Sequence, residues 1–259
     1  MMFILSFILS FLFGAAVGSF LAVLIDRLRR GETFISGRSK CESCKRTLTP
    51  SELIPILSFF LQKGKCKGCK AKIPSRLIIA EILTGLSFAG LFLLYYFGGI
   101  GIIELIYLIL ILSISIGIFI SDIAYGIIPD ELVVAFLSVS LLYGFVFVPF
   151  DMINHFLSGI VLMLLFLILF LSTKGRGMGF GDVKLSFALG IFLGFPKIIV
   201  STYMAFLTGA FVSVILIMWG KKRLKKDTIP FGPFLIFSAL VSYFIGEILI
   251  AQFLDFFQR

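Results

Sequence analysis

The chain has 259 residues, 59% hydrophobic and 14% charged, with a formal net charge of +9. A soluble domain carries about 25% charged residues, and here the apolar residues fall in long runs, so the composition excludes an ordinary soluble core and points to the membrane. The four cysteines all lie between Cys41 and Cys69, and the one histidine is His155.

The first apolar run, 3–25, has no basic residue before it and Arg27, Arg29 and Arg30 after it. A cleavable secretory signal has the reverse order, so the run predicts a first spanning helix with its N-terminus outside. Gly14 and Gly18 make a G-x-x-x-G step in it, which lets another helix backbone approach closely. Further spans are predicted at 77–97, 102–121, 131–149, 155–173, 183–195, 197–219 and 233–254, about eight in all at roughly 20 apolar residues each. The sixth is short, and Pro196 divides it from the seventh.

The intervening segments alternate in charge. Thirteen Lys and Arg fall in 26–76, three in 174–184 and five in 220–232, which is 21 of the 23; only Lys197 and Arg259 fall on the other side. Basic loops stay in the cytosol, so these segments are predicted cytosolic and both termini outside. The same frame accounts for the net charge, with anionic lipid headgroups as the natural counter-charge. No nucleic-acid-binding motif accompanies it, and nucleic acid is not an expected partner. The expected fold is an all-α membrane protein: a first transmembrane helix at 1–25, a cytosolic four-cysteine loop at 26–76, and a transmembrane bundle at 77–259.

Cys41-Glu-Ser-Cys44 and Cys66-Lys-Gly-Cys69 are two C-x-x-C pairs with 21 residues between them. In a reducing compartment structural disulfides are uncommon, and two such turns suit a tetrahedral site in which Cys41, Cys44, Cys66 and Cys69 hold a structural zinc. Four thiolates leave no open position for catalysis. Gly68 is expected to relax the second turn, and Lys45, Lys65, Lys67 and Lys70 to offset the thiolate charge. A loop of about 50 residues is too small for a large core, so a metal staple has a physical purpose.

Acidic residues are few, and three of them fall near one depth, the cytosolic interface. Asp122 ends the third span, Asp130 follows Pro129 at the start of the fourth, and Asp182 closes Gly177-Met-Gly-Phe-Gly-Asp182 before the sixth. Asp130 and Asp182 each have a plain reading as helix N-caps, and Asp122 as a solvated interfacial carboxylate. Taken together they carry another. Gly177, Gly179 and Gly181 remove side chains beside a carboxylate and let a second backbone come close, as a peptide substrate must. Two carboxylates close together share a proton and can act as base and acid on a water. The residues alone do not choose two of the three. His155 falls on the outer side, as a bystander. Glu81 and Glu104 near span ends, and Glu247 within the eighth span, are functional candidates by position, with structural hydrogen bonding as the plain alternative.

The ordered set of motifs resembles the bacterial type IV prepilin peptidases (prepilin leader peptidase/N-methyltransferase), within the wider G-x-G-D aspartic membrane proteases. It comprises Gly18-Ser-Phe-Leu21 running into Asp26-Arg-Leu28, the two C-x-x-C pairs, Leu53-Ile-Pro-Ile-Leu57, Lys63-Gly-Lys-Cys66, Asp122-Ile-Ala-Tyr-Gly-Ile-Ile-Pro-Asp130, Gly177 to Leu185, and Ile229-Pro-Phe-Gly-Pro233. The resemblance implies a two-aspartate endopeptidase in the bacterial inner membrane, with Asp122 and Asp182 as the pair. It implies prepilin or pseudopilin substrates, cut beside a glycine just before their hydrophobic helix. In many members it implies methylation of the new N-terminus from S-adenosylmethionine. Ala22, Arg29 and Leu77-Ile-Ile-Ala-Glu81 depart from the family pattern, all in the third of the chain associated with methyl transfer. Rival readings are a presenilin-like protease cutting within membrane helices, a proton-coupled transporter using the same carboxylates, and a zinc-bearing membrane adaptor.

Overall fold

The computed structural model describes residues 2–32, 38–219 and 230–257. Among these residues there are no strands beyond two isolated bridges, and the helices are α1 (Met2–Arg30), α2 (Leu57–Leu61), α3 (Ser75–Tyr96), α4 (Ile102–Tyr125), α5 (Asp130–Phe147), α6 (Met152–Ser172), α7 (Phe180–Leu193), α8 (Lys197–Met218) and α9 (Gly232–Phe257). Seven are long and apolar enough to cross a membrane. The eighth expected span, 183–195, is α7, whose 14 residues fall short of that length. The expected all-helical membrane class stands. Most of the basic segment 220–232, with Ile229, lies outside the described residues.

The chain forms two compact units, Met1–Ile120 and Ser121–Arg259. In the first, α1 packs along α3. A Cβ on Gly14 would meet the Thr84 carbonyl and the Phe88 side chain, and one on Gly18 would meet the Ala80 backbone. The G-x-x-x-G step therefore serves an intrachain helix pair, where lipid gives no hydrophobic drive and close packing must hold the helices together. α1 outruns its apolar stretch by a turn because Arg27, Arg29 and Arg30 suit the negative end of the helix dipole. Gly31 then ends it at φ +65°, a conformation glycine adopts without cost. Arg76, at the start of α3, pairs with Asp26 of α1 and with Glu42 of the cysteine loop.

In the second unit α7 packs against α5, α6 and α9, and α8 packs against α9. Ten of the fourteen α7 residues are buried, from Asp182 to Leu193, as befits a helix apolar on every side. Gly159 of α6 and Gly190 of α7 meet backbone to backbone, since a Cβ on Gly190 would fall on the Gly159 main chain. Past the end of α7, Asn154 binds both polar groups of Phe195: its Nδ2 donates to the carbonyl at 2.9 Å, and its Oδ1 accepts from the N–H at 3.1 Å. His155 Nδ1 donates to the Ile191 carbonyl at 2.6 Å. The lone histidine thus has a structural partner at the far end of α7 from Asp182. α7 is held along its length, which fixes the residue that opens it.

Candidate functional site

Asp122 lies in the last turn of α4. The helix ends there because Gly126 turns left-handed at φ +65° and returns its N–H to the Asp122 carbonyl at 2.8 Å. Ser121 Oγ ties back the following turn by donating to the Ile127 carbonyl at 2.8 Å. The Asp122 side chain is buried, 5% exposed. Its Oδ2 accepts the Gly232 N–H at 2.9 Å. Gly232 opens α9, so the carboxylate meets one of the free N–H groups at the positive end of that helix.

Asp182 sits in the first turn of α7 and is 6% exposed. It is not the N-cap. Gly179 holds that position in extended backbone, φ −78° and ψ 155°, and Asp182 Oδ2 reaches back to accept the Gly179 N–H at 3.1 Å. Its other oxygen, Oδ1, is buried with no hydrogen-bond partner. Asp122 lies near enough to act electrostatically on Asp182. Ile128 lies between Gly181 and Gly232, 3.1 Å from where a Cβ on the first would stand and 3.2 Å from one on the second.

Asp130 is set apart. It is the first residue of α5, Pro129 being the N-cap, and it makes no cap bond. Both its oxygens accept from Lys184 Nζ at 2.8 Å, with 65% of its side chain exposed. Its plain reading changes from a cap to a surface ion pair, because a residue already inside the first turn no longer stands where a cap must. Nor do all the glycines open a groove. Gly181 already faces Ile128 of the same chain, and Gly177 lies against Thr173. Gly179 has only the Asp182 carboxylate and the Gly181 backbone within reach of its missing side chain, at 3.6 Å and 3.9 Å. Glu81 is occupied by the Ile56 N–H at 2.7 Å, and Glu247 pairs with Lys197 at 2.7 Å.

The four cysteines of the first unit converge. Their sulfurs lie within 4.8 Å of one another, with Cys41 and Cys69 3.8 Å apart and no disulfide among them. Zinc bonded to four sulfurs at about 2.3 Å sets them about 3.8 Å apart along the tetrahedron's edges, so the arrangement fits a metal ion of that kind. Gly68 does not supply the expected backbone relaxation: the left-handed residues are Lys45 and Lys70, at φ 59° and 60°. N–H groups of Cys69 and Gly68 aimed at its sulfur bring the Cys66 thiol down to about 6, which favours the metal-binding thiolate. Nearby, Glu52 is buried. The Thr49 N–H and the Arg46 guanidinium hold its carboxyl at about 2.

Sequence reasoning missed Gly232 as the seat of Asp122, though Pro-Phe-Gly-Pro drew notice, and missed Arg46 and Glu52 beside the cysteines. A glycine between two helix-starting prolines was the available signal for the first.

The Bacterial Peptidase A24 N-terminal domain matches residues 12–95, which contain the four cysteines. The Type IV leader peptidase family matches residues 109–214, which contain both buried aspartates. A prepilin leader peptidase/N-methyltransferase of Bacillus subtilis (strain 168) is 32% identical over 244 residues, covering 94% of this chain and 96% of that one. Relatives of the same name from Aeromonas hydrophila and Legionella pneumophila are 30% and 31% identical, covering 94% and 95% of this chain and 92% and 93% of theirs. No solved structure matches the chain. With both matched segments in order and relatives aligned from end to end, the chain belongs to the type IV leader peptidase family.

Proposed function

We propose that this chain is an aspartic endopeptidase of the bacterial inner membrane that removes the leader of type IV prepilins or pseudopilins at the cytosolic face. The observation that carries this is the buried pair Asp122 and Asp182, one oxygen of each held by a backbone N–H, and Asp182 Oδ1 left free. Hydrolysis needs one carboxylate ionised and one protonated. The ionised member takes a proton from water as its oxygen adds to the scissile carbonyl. The protonated member gives its proton to the carbonyl oxygen. Collapse of the tetrahedral species breaks the C–N bond, and the proton taken from water passes to the leaving amine. A prepilin carries its own apolar helix in the bilayer and its leader in the cytosol, so its cut site falls at the cytosolic interface, the depth that this reading gives to Asp122 and Asp182.

The cysteine site is read as structural zinc, which contributes folding free energy rather than chemistry. A recess of about 590 Å³ at the end of α1 carries Asp26, Glu32 and Glu42 with Arg27, Arg30 and Arg38. Asp26 and Glu42 are paired with Arg76, and Glu32 with Arg30, so S-adenosylmethionine would share these carboxylates for its sulfonium and ammonium and take Arg27 or Arg38 for its carboxylate. When bound, it supplies a methyl group to the new N-terminal amine.

The test is cleavage of a synthetic prepilin by the purified chain in detergent. Asp122→Asn and Asp182→Asn should each lower the rate by several orders of magnitude while the melting temperature stays near wild type, because the pair acts as a unit. Full activity in both variants would reject the mechanism. Cutting inside the substrate's membrane helix would instead favour the presenilin-like reading, and proton flux in vesicles without peptide products the transporter.

A further inference from the structure

Residues 40–47 and 65–72, Lys-Cys-Glu-Ser-Cys-Lys-Arg-Thr and Lys-Cys-Lys-Gly-Cys-Lys-Ala-Lys, are two copies of one device. In each, the first cysteine's N–H donates at 2.9 Å to the carbonyl five residues on, Arg46 or Ala71. Each first-cysteine carbonyl accepts the N–H of a left-handed lysine, Lys45 at 2.9 Å and Lys70 at 3.0 Å. Each copy closes in a bridge, Lys40 to Thr47 and Lys65 to Lys72.

The copies differ where it matters to each other. Arg46 stands where the second has Ala71, and Gly68 stands where the first has Ser43. Arg46 crosses from the first copy to lie over Gly68: a Cβ there would sit 3.1 Å from its Nε and 3.5 Å from its Cδ. The Cys66 sulfur and the Glu52 carboxylate both favour the guanidinium's positive charge, and its Nε is buried with no hydrogen-bond partner. Nη2 donates to Glu52 Oε1 at 2.6 Å. The other Glu52 oxygen accepts from the Thr49 N–H and hydroxyl, both at 2.9 Å, and the Glu52 side chain is 1% exposed. Gly68 is bare because the arginine occupies the place of its side chain. A guanidinium is suited to this bridge, since its planar fork serves two partners at once and never loses its charge.

We propose that Arg46, anchored by Glu52, is a positioning residue for the metal at the four cysteines: it pins the first cysteine turn onto the second at the Cys66 sulfur and thereby slows metal release. This rests on reading the site as a zinc centre. Four thiolates around a divalent ion leave two surplus negative charges, and a fixed cation at one sulfur offsets part of them. Groups that orient metal ligands in this way are worth about 10-fold to 100-fold in metal affinity.

The test uses the full chain in detergent, loaded with zinc, measuring zinc per chain and the rate of zinc transfer to an excess of a colorimetric chelator. Arg46→Ala should still load zinc but release it about 10-fold to 100-fold faster. Arg46→Lys and Glu52→Gln, which preserve size, should fall between, and they decide the matter if Arg46→Ala does not fold. Lys63→Ala removes an equal charge from an exposed residue outside both cysteine turns and should release at the wild-type rate. With cobalt in place of zinc, the sulfur-to-metal charge-transfer band should shift in Arg46→Ala and stay put in Lys63→Ala. Wild-type release rates in all the Arg46 and Glu52 variants would overturn the proposal, as would equal acceleration by Lys63→Ala. Absence of zinc from wild type would overturn the zinc reading itself, a distinct result.

Discussion

Gly232→Ala is a sharp test of how Asp122 is held. A Cβ on Gly232 would lie 2.6 Å from Asp122 Oδ2, and 3.2 Å from its Cγ and from Ile128 Cδ1. Ordinary contact begins near 3.4 Å, so the carboxylate and the start of α9 must part by about 0.8 Å. Parting along the bond would stretch the 2.9 Å Gly232 N–H bond to about 3.7 Å, outside hydrogen-bonding range. A bond from an amide to a charged group is worth about 1.5–3 kcal/mol, and a misplacement near 1 Å can cost about 100-fold in rate. The expected outcome is a fall in kcat of about 10-fold to 100-fold, with KM for prepilin little changed because the added methyl acts on the Asp122 carboxylate. The assay is steady-state cleavage of a synthetic prepilin, with a thermal melt alongside. Gly90→Ala, where a Cβ meets nothing within 4 Å, is the control. A Gly232→Ala protein that cuts at the wild-type rate would show that the seat of Asp122 does not govern catalysis.

Asp130→Asn should keep cleavage within a few-fold of wild type, since its pair with Lys184 is exposed and such pairs contribute about 0–1 kcal/mol; a dead variant would return Asp130 to the reacting set. In metal-free protein, the rate of Cys66 alkylation should rise with pH through a midpoint near 6, because the thiol lowered to about 6 becomes thiolate above that value and is protonated below it; mass spectrometry of labelled peptides gives the profile, and a midpoint near 9 would contradict it. Cysteines placed singly in the 122–130 turn should resist an impermeant maleimide added outside intact cells, and labelling there would reverse the membrane frame.

The spans were legible because each is a long apolar run, and the ends moved for local reasons. α1 continues to Arg30, past the predicted 25, since arginine is a good helix former and suits a C-terminal turn. α7 starts at Phe180, three residues before the predicted 183, because the Asp182 side chain can serve Gly179 only from within the first turn. The convergence of the four cysteines was legible from spacing alone, for they come in two short local turns. The seat of Asp122 was not, since Gly232 lies 110 residues away and no local pattern encodes such a meeting. The crossing of Gly159 and Gly190 was hidden for the same reason. Asp130 was misjudged in its plain role because a cap and a first-turn residue differ by one position, finer than any sequence boundary.

The brevity of α7 bears on how water reaches its end. Its 14 residues rise about 21 Å, against a hydrocarbon layer of about 30 Å, so a helix of this length cannot reach both faces. Ten of those residues are buried and α7 packs on α5, α6 and α9, so the shortfall of about 9 Å is enclosed by protein and not by lipid. The bundle can thus leave polar room over an end of α7 without thinning the bilayer. Reconstituted into lipids of increasing acyl length, the protein should keep its cleavage rate for as long as the longer helices still span the layer.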